Sequence, residues 1–131
     1  DEDYKLVQYV EEDRKIELVP LNQKVILLLH PKYLTIEFIL EQMKKSSFIT
    51  EVFLGKYGEN NALFEYSKNY KDSKEINDIL KEQVKKYLKE DISCYVKSSE
   101  LVKENVEIAK YVLNLDKKML PYVNKVINNV E

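Results

Sequence analysis

The sequence predicts an α+β domain of βαββαβ order, with a β-hairpin before it and a helical extension after it. Three observations predict this. Short apolar runs bounded by turn residues recur along the chain at strand length. Two longer segments, opening near Thr35 and Asp72, carry apolar residues at helical spacing instead. Between them the stretch Gly55 to Asn60 has the glycine and asparagine content of a tight connection.

Taken in order, residues 4–20 hold the apolar positions Leu6, Tyr9 and Val10, then Ile16 and Leu18, around the polar stretch Glu11 to Lys15, which reads as a β-hairpin. Val25 to Leu29 is apolar at every position and suits a strand buried on both faces, ended by Pro31. Thr35 is a natural N-cap, and Ile36, Ile39, Leu40 and Met43 form the stripe of a helix reaching Lys45. Phe48 to Leu54 and Ala62 to Tyr66 read as an antiparallel strand pair. Asp72 and Glu75 have capping-box spacing, and Ile76, Ile79, Leu80, Val84, Tyr87 and Leu88 carry a second helix to about Lys89. Ile92 to Val96 alternates as the last strand. A helix capped by Ser98 or Ser99 then runs through Leu101, Val102, Val106, Ala109, Val112 and Leu113. Asn114 to Asp116 interrupts it, and Pro121 opens a short final helix toward Val130. The order from 24 to 97 is the ferredoxin-like split pattern, and we find no internal repeat. One domain is expected over 1–131: a hairpin extension at 1–22, the core at 24–97, and C-terminal helices at 98–131 packed on the sheet.

The chain has 131 residues, enough for one core. It is 44% hydrophobic and 34% charged, the balance of a folded soluble domain rather than a disordered or membrane-spanning chain. No apolar run approaches bilayer length, so no membrane partner is expected. Opening on Asp1 rather than a methionine, the chain reads as a segment of a longer protein, whose targeting signal can lie elsewhere. A single cysteine, Cys94, reads as a small buried residue of an intracellular, reducing compartment, nucleus or cytoplasm. The formal charge of -2 means that nucleic-acid binding would rest on local lysines such as Lys44-Lys45, Lys56, Lys85-Lys86 and Lys117-Lys118.

Local sequence narrows the fold further. Val25-Ile26-Leu27-Leu28-Leu29-His30-Pro31 resembles the first-strand signature of an RNA recognition motif, and Thr35 falls where that family commonly opens its first helix. Asn60-Asn61-Ala62-Leu63-Phe64-Glu65-Tyr66-Ser67 resembles the family's third-strand octamer. The resemblance spans about residues 24–97 and implies an RNA-binding, RRM-like sheet. The outward slots that stack bases in that family hold Ile26, Asn61 and Leu63, and the octamer's basic residue and glycine fall on Glu59 and Asn60. Recognition is therefore expected from loops, strand ends and the last helix. The aliphatic face made by Ile26, Leu28 and Leu63 is expected to lie under the helix from Ser99 to Val130. The hairpin Val10 to Ile16 is similar to the closing wing of the La motif, with Glu17-Leu18 where a basic pair is expected. A La-related protein implies binding and folding of a small non-coding RNA, of the telomerase or polymerase III transcript kind.

Catalysis has few materials. His30 is the only histidine, which nearly excludes histidine acid–base pairs, Cys-His nucleophiles and His/Cys zinc sites, and its place before Pro31 favours a capping role. The carboxylates of Glu11 to Asp13 and Glu90-Asp91 suit solvated turns, and two glycines make no phosphate-cradling loop. Neither an enzyme, a cofactor nor a metal is expected. Ten tyrosines offer rings that pack while keeping a polar tip. The candidate RNA contacts are His30, Lys32, Tyr33, Lys56, Tyr57, Asn61, Tyr95 and Lys97, with Tyr95 and Lys97 expected on the exposed sheet face. The reading is a non-catalytic module for structured RNA. The alternative is a degenerate domain of the same fold that docks a protein partner in a ribonucleoprotein or another complex.

Overall fold

The apolar stripe that begins at Ile76 forms the longest element of the chain, and the other helices are arranged about it. The computed structural model describes residues 3–128, with side chains from Leu6 onward. Among the described residues every regular element is helical. In order they are α1 (Glu12–Leu18), α2 (Ile36–Lys45), α3 (Phe48–Phe53), α4 (Ala62–Glu65), α5 (Lys74–Glu90), α6 (Cys94–Lys97), α7 (Glu100–Lys103), α8 (Val106–Leu115) and α9 (Leu120–Asn128). Five 3₁₀ segments join them: Asp3–Tyr9, Gln23–Leu28, Pro31–Tyr33, Ser67–Tyr70 and Lys117–Met119.

Helix α5 lies between α2 and α8, and α9 packs on the far side of α8. Its buried residues Ile76, Leu80, Val84 and Leu88 are spaced four apart, so they line one side and meet Ile39 and Met43 of α2 and Ile108 and Val112 of α8 in one core. Burial of each such side chain stabilises the fold by roughly 1.5–3 kcal/mol. Both sequence-predicted long helices are present. Thr35 caps α2 by accepting from the Phe38 amide at 3.1 Å. The cap of α5 is Ser73, which accepts from the Ile76 amide at 3.3 Å, one residue beyond the expected Asp72.

The α+β, ferredoxin-like fold is overturned, and with it the RRM-like and La-related resemblances, because no strand or sheet exists among the described residues. The expected hairpin is a 3₁₀ segment followed by α1. Val25 to Leu28 winds as a 3₁₀ turn once Asn22 accepts from the Lys24 amide at 3.0 Å. Phe48 to Leu54 becomes α3, a helix buried nearly all round: only Glu51 reaches the half-exposed zone. Its apolar pairs Phe48-Ile49 and Val52-Phe53 recur at four residues, a helical interval that its β-branched content disguised. The supposed partner strand is α4, capped by Asn61, and the last strand is a turn leading into α6. Of the three aliphatic residues expected under the last helix, Ile26 and Leu63 are buried, at 1% and 0% exposure, and Leu28 is half-buried, all among helices rather than under a helix on a sheet. The single helix expected from Ser99 is broken after Lys103, because Asn105 restarts the chain by accepting from the Ile108 amide at 3.1 Å. Interruption at Asp116 and entry of Pro121 into the first turn of α9 both occur; Val130 lies outside the described residues.

Although the sequence carries no repeat, one local device recurs. Each long helix ends on a residue with extended backbone, Ser46, Asp91 or Asp116, whose side chain accepts from the amide two residues on. The distances are 3.2 Å to Phe48, 3.1 Å to Ser93 and 2.9 Å to Lys118. The chain thus stops one helix and redirects the next three times. Tyr70, 1% exposed, ties the outer segments inward by donating to the Leu34 carbonyl at 2.6 Å. Cys94 is buried and unpaired. Among the described residues no helix is long and apolar enough to cross a membrane.

At Gly55 (φ +80) a β-carbon would stand 2.6 Å from the Lys97 carbonyl oxygen, so the turn after α3 packs directly on the end of α6. Gly58 (φ +85) has the same handedness but open space around it. Gly58→Ala is expected to cost about 1–2 kcal/mol of backbone strain. Gly55→Ala is expected to cost clearly more, which paired chemical denaturation curves measure.

Candidate functional site

The eight residues nominated from the sequence fall in four places. His30, Lys32 and Tyr33 form a corner with α1. There the His30 Nδ1 accepts from the Lys32 amide at 3.0 Å, and the His30 amide donates to Glu12 Oε2 at 3.1 Å. The Tyr33 hydroxyl donates to Asp13 at 2.9 Å, which raises its pKa, and the Lys32 ammonium sits 5.1 Å from the Tyr33 ring centroid. Buried Lys15 closes the corner by donating to Glu12 Oε1 at 2.7 Å, a bond that holds the Glu12 carboxyl below its usual range. These interactions join α1 to the turn before α2, so His30 has the capping role its sequence context suggested.

Asn61 is likewise structural. Its Oδ1 accepts from the Phe64 amide at 2.8 Å and its Nδ2 donates to the Gly58 carbonyl at 3.2 Å. Tyr95 corrects the expectation of an exposed contact. It is 1% exposed, donates to the Lys103 carbonyl at 3.1 Å and is held as a phenol by burial, its pKa pushed up to about 12. A helical turn sets Cys94 and Tyr95 side by side inward and leaves Val96 39% exposed, the reverse of strand alternation.

Lys56, Tyr57 and Lys97 lie together through the Gly55 turn. Tyr57 packs on Phe48 with ring centroids 5.1 Å apart. Lys56 reaches over the Tyr87 ring at 5.0 Å, which brings it to the surface of α5. There it approaches Lys85-Lys86, another of the local lysine clusters noted in the sequence. A shallow groove of about 280 Å³ between α5 and α8 is lined by Glu82, Lys85, Lys86, Lys89 and Tyr111. A second, of about 300 Å³, runs along the other flank of α5 past Ser47, Gln83, Lys86, Tyr87 and Glu90. Lys86 borders both.

The two tyrosines are fixed. Tyr87 donates to Glu51 Oε2 at 2.9 Å and shares a 2.8 Å bond with the Ser47 hydroxyl; burial is the main cause of its raised pKa. Behind it the Thr50 hydroxyl bonds Gln83, whose amide donates to the Met43 carbonyl at 3.3 Å. Tyr111 carries the Lys85 ammonium 5.4 Å from its centroid. One turn earlier on α5, Lys81 is already committed to Glu107 at 2.8 Å and Asp78 at 3.6 Å. Among the described residues no ion pair engages Lys85, Lys86 or Lys89. Lys89, in the last turn, complements the helix dipole.

Larger clefts are electrically balanced or acidic. One of about 390 Å³ sets Lys68 and Lys71 against Glu104 and Glu107, and its neighbour sets Lys68 against Glu59, Glu65 and Glu100. Of these clefts, the groove between α5 and α8 is the one lined mostly by cations. Its signal in the sequence was the i, i+1, i+4 spacing of Lys85, Lys86 and Lys89; the approach of Lys56 and Tyr111 had none.

Because the folded-state pKa of Tyr95 exceeds the ordinary value of 10.0, its neutral form favours folding least at high pH: the unfolded chain ionises first. The contribution of Tyr95 to stability is expected to be level below pH 10 and to fall between about pH 10 and 12. Tyr95→Phe is expected to lower stability at neutral pH by about 1 kcal/mol and to lessen the alkaline decline, part of which comes from buried Tyr70, as measured by thermal melts across this range. Compared with protein-family models, curated proteins and solved structures, the chain has no match in any of the three.

Proposed function

We propose that the domain is a non-catalytic interaction module that presents the ridge of α5 and its two flanking grooves to a protein partner. The observation that carries this reading is the state of the ridge. Lys85, Lys86 and Lys89 project from a helix whose opposite side is locked in the core, between two tyrosines that are themselves fixed by hydrogen bonds and cation contacts. The backbone of such a support loses little further freedom on binding, which favours recognition by a pre-formed surface. The grooves are shallow and open, a shape suited to another chain more than to an enclosed small molecule. His30, the sole histidine, is engaged in backbone capping. Structured RNA is the competing occupant, since lysines and tyrosines also suit it. Here, however, one face of each ridge tyrosine is already covered by a lysine, and the Tyr87 hydroxyl is bonded within the fold. A buried, unpaired Cys94 suits a reducing compartment.

A photo-crosslinking amino acid placed at Lys86 tests the reading against the same probe at Glu37, on the solvent side of α2. A discrete protein adduct in lysate from the source cells at position 86, not at 37, is the expected result. Equal labelling at both positions, or an adduct that nuclease removes, contradicts it.

A further inference from the structure

Building on the interaction-module reading, we infer that the partner of the α5 ridge is a short acidic peptide segment, lying extended across Lys85, Lys86 and Lys89. The charge pattern sets both the sign and the length of the ligand. Three lysines without ion pairs among the described residues stand in one groove with a single carboxylate, Glu82, in a chain whose total charge is -2. The positive stretch is local, and an anionic ligand complements it. It is also fenced, with Glu82 bordering one end and Glu90 the other.

Eight residues separate those glutamates, about 12 Å along a helix axis. A continuous polyanion such as an RNA backbone would run over one carboxylate or both, and phosphate-driven binding draws on many contacts at once. A short acidic cluster with uncharged or basic flanks meets less of that repulsion. Within the fences, Lys85 and Lys89 are four residues and so about 6 Å apart along the axis. Alternate side chains of an extended peptide repeat every 6.5–7 Å or about that, so carboxylates two apart can reach both lysines. Lys86 stands between the grooves to meet an intervening or flanking acid, and Lys56, over Tyr87, extends the cationic edge on one side. The tyrosines supply ring edges along the track rather than stacking faces.

The experiment is a fluorescence-anisotropy titration of the intact chain against three probes: a labelled peptide with a Glu-Asp-Glu-Asp core in Gly-Ser flanks, its Gln-Asn-Gln-Asn counterpart, and a labelled structured RNA. The acidic peptide is expected to bind with an affinity that drops as salt rises, and the amide peptide not to bind. Lys86→Glu with Lys89→Glu is expected to weaken the acidic peptide about tenfold or more, while Glu82→Gln with Glu90→Gln strengthens it. Both pairs are surface changes, and unaltered melting curves confirm the fold is kept. Absence of peptide binding at low salt, or indifference to the lysine changes, overturns the acidic-peptide assignment; a position-86 adduct from the crosslinking experiment would still uphold the module. Tighter binding of RNA than of peptide overturns both. Concentration-dependent dimer mass in light scattering, abolished by the lysine pair, would replace the peptide with a second copy, docking through its own acidic cleft.

Discussion

Everything in this domain leans on the burial of one helical stripe, Ile76, Leu80, Val84 and Leu88, between α2 and α8. Those four side chains are between 0% and 1% exposed, and the neighbouring helices place Ile39, Met43, Ile108 and Val112 against them. Once that stripe is inward, the opposite side of α5 has to face water, and its lysines collect there without needing internal partners. The core and the candidate binding ridge are two sides of one helix, so the packing that stabilises the fold also holds the ridge still.

The shorter helices solve a different problem. A chain of many brief helices leaves orphan amides and carbonyls at every end. Here they are met at about half of the breaks by Ser, Thr, Asn and Asp side chains: Asn22, Thr35, Asn61, Ser73, Asn105 and Asp116 all accept from a nearby amide. Each is worth about 1 kcal/mol, and together they define where the chain turns. Asn61, nominated as an RNA contact, belongs to this set.

Legibility in the sequence followed element length. The two long amphipathic segments, with ten residues in α2 and seventeen in α5, were readable because their stripes span several turns. The segments around Val25, Phe48, Ala62 and Ile92 are four to seven residues long and carry several apolar or aromatic side chains each. At that length an apolar run is compatible with strand or helix, and the caps decide. Reading Asn22 and Asn61 as caps would have tipped the balance. Tyr95 was assigned outward because strand alternation demanded it; a helical turn reverses that, and its hydroxyl goes to the Lys103 carbonyl. As for the ridge, its lysines were visible, but that Lys81 pairs with Glu107 and Asp78 while Lys85 turns to the Tyr111 ring is a three-dimensional fact.

The all-helical fold is the claim on which both core and ridge rest, and backbone NMR tests it most directly through the Cα secondary chemical shifts of 48–54, 62–66 and 92–97. Positive shifts over 48–53 and at the short turns of 62–65 and 94–97 are the expected result. Negative shifts over the first two segments, with cross-strand amide contacts between them, would contradict it and restore a hairpin in place of α3 and α4.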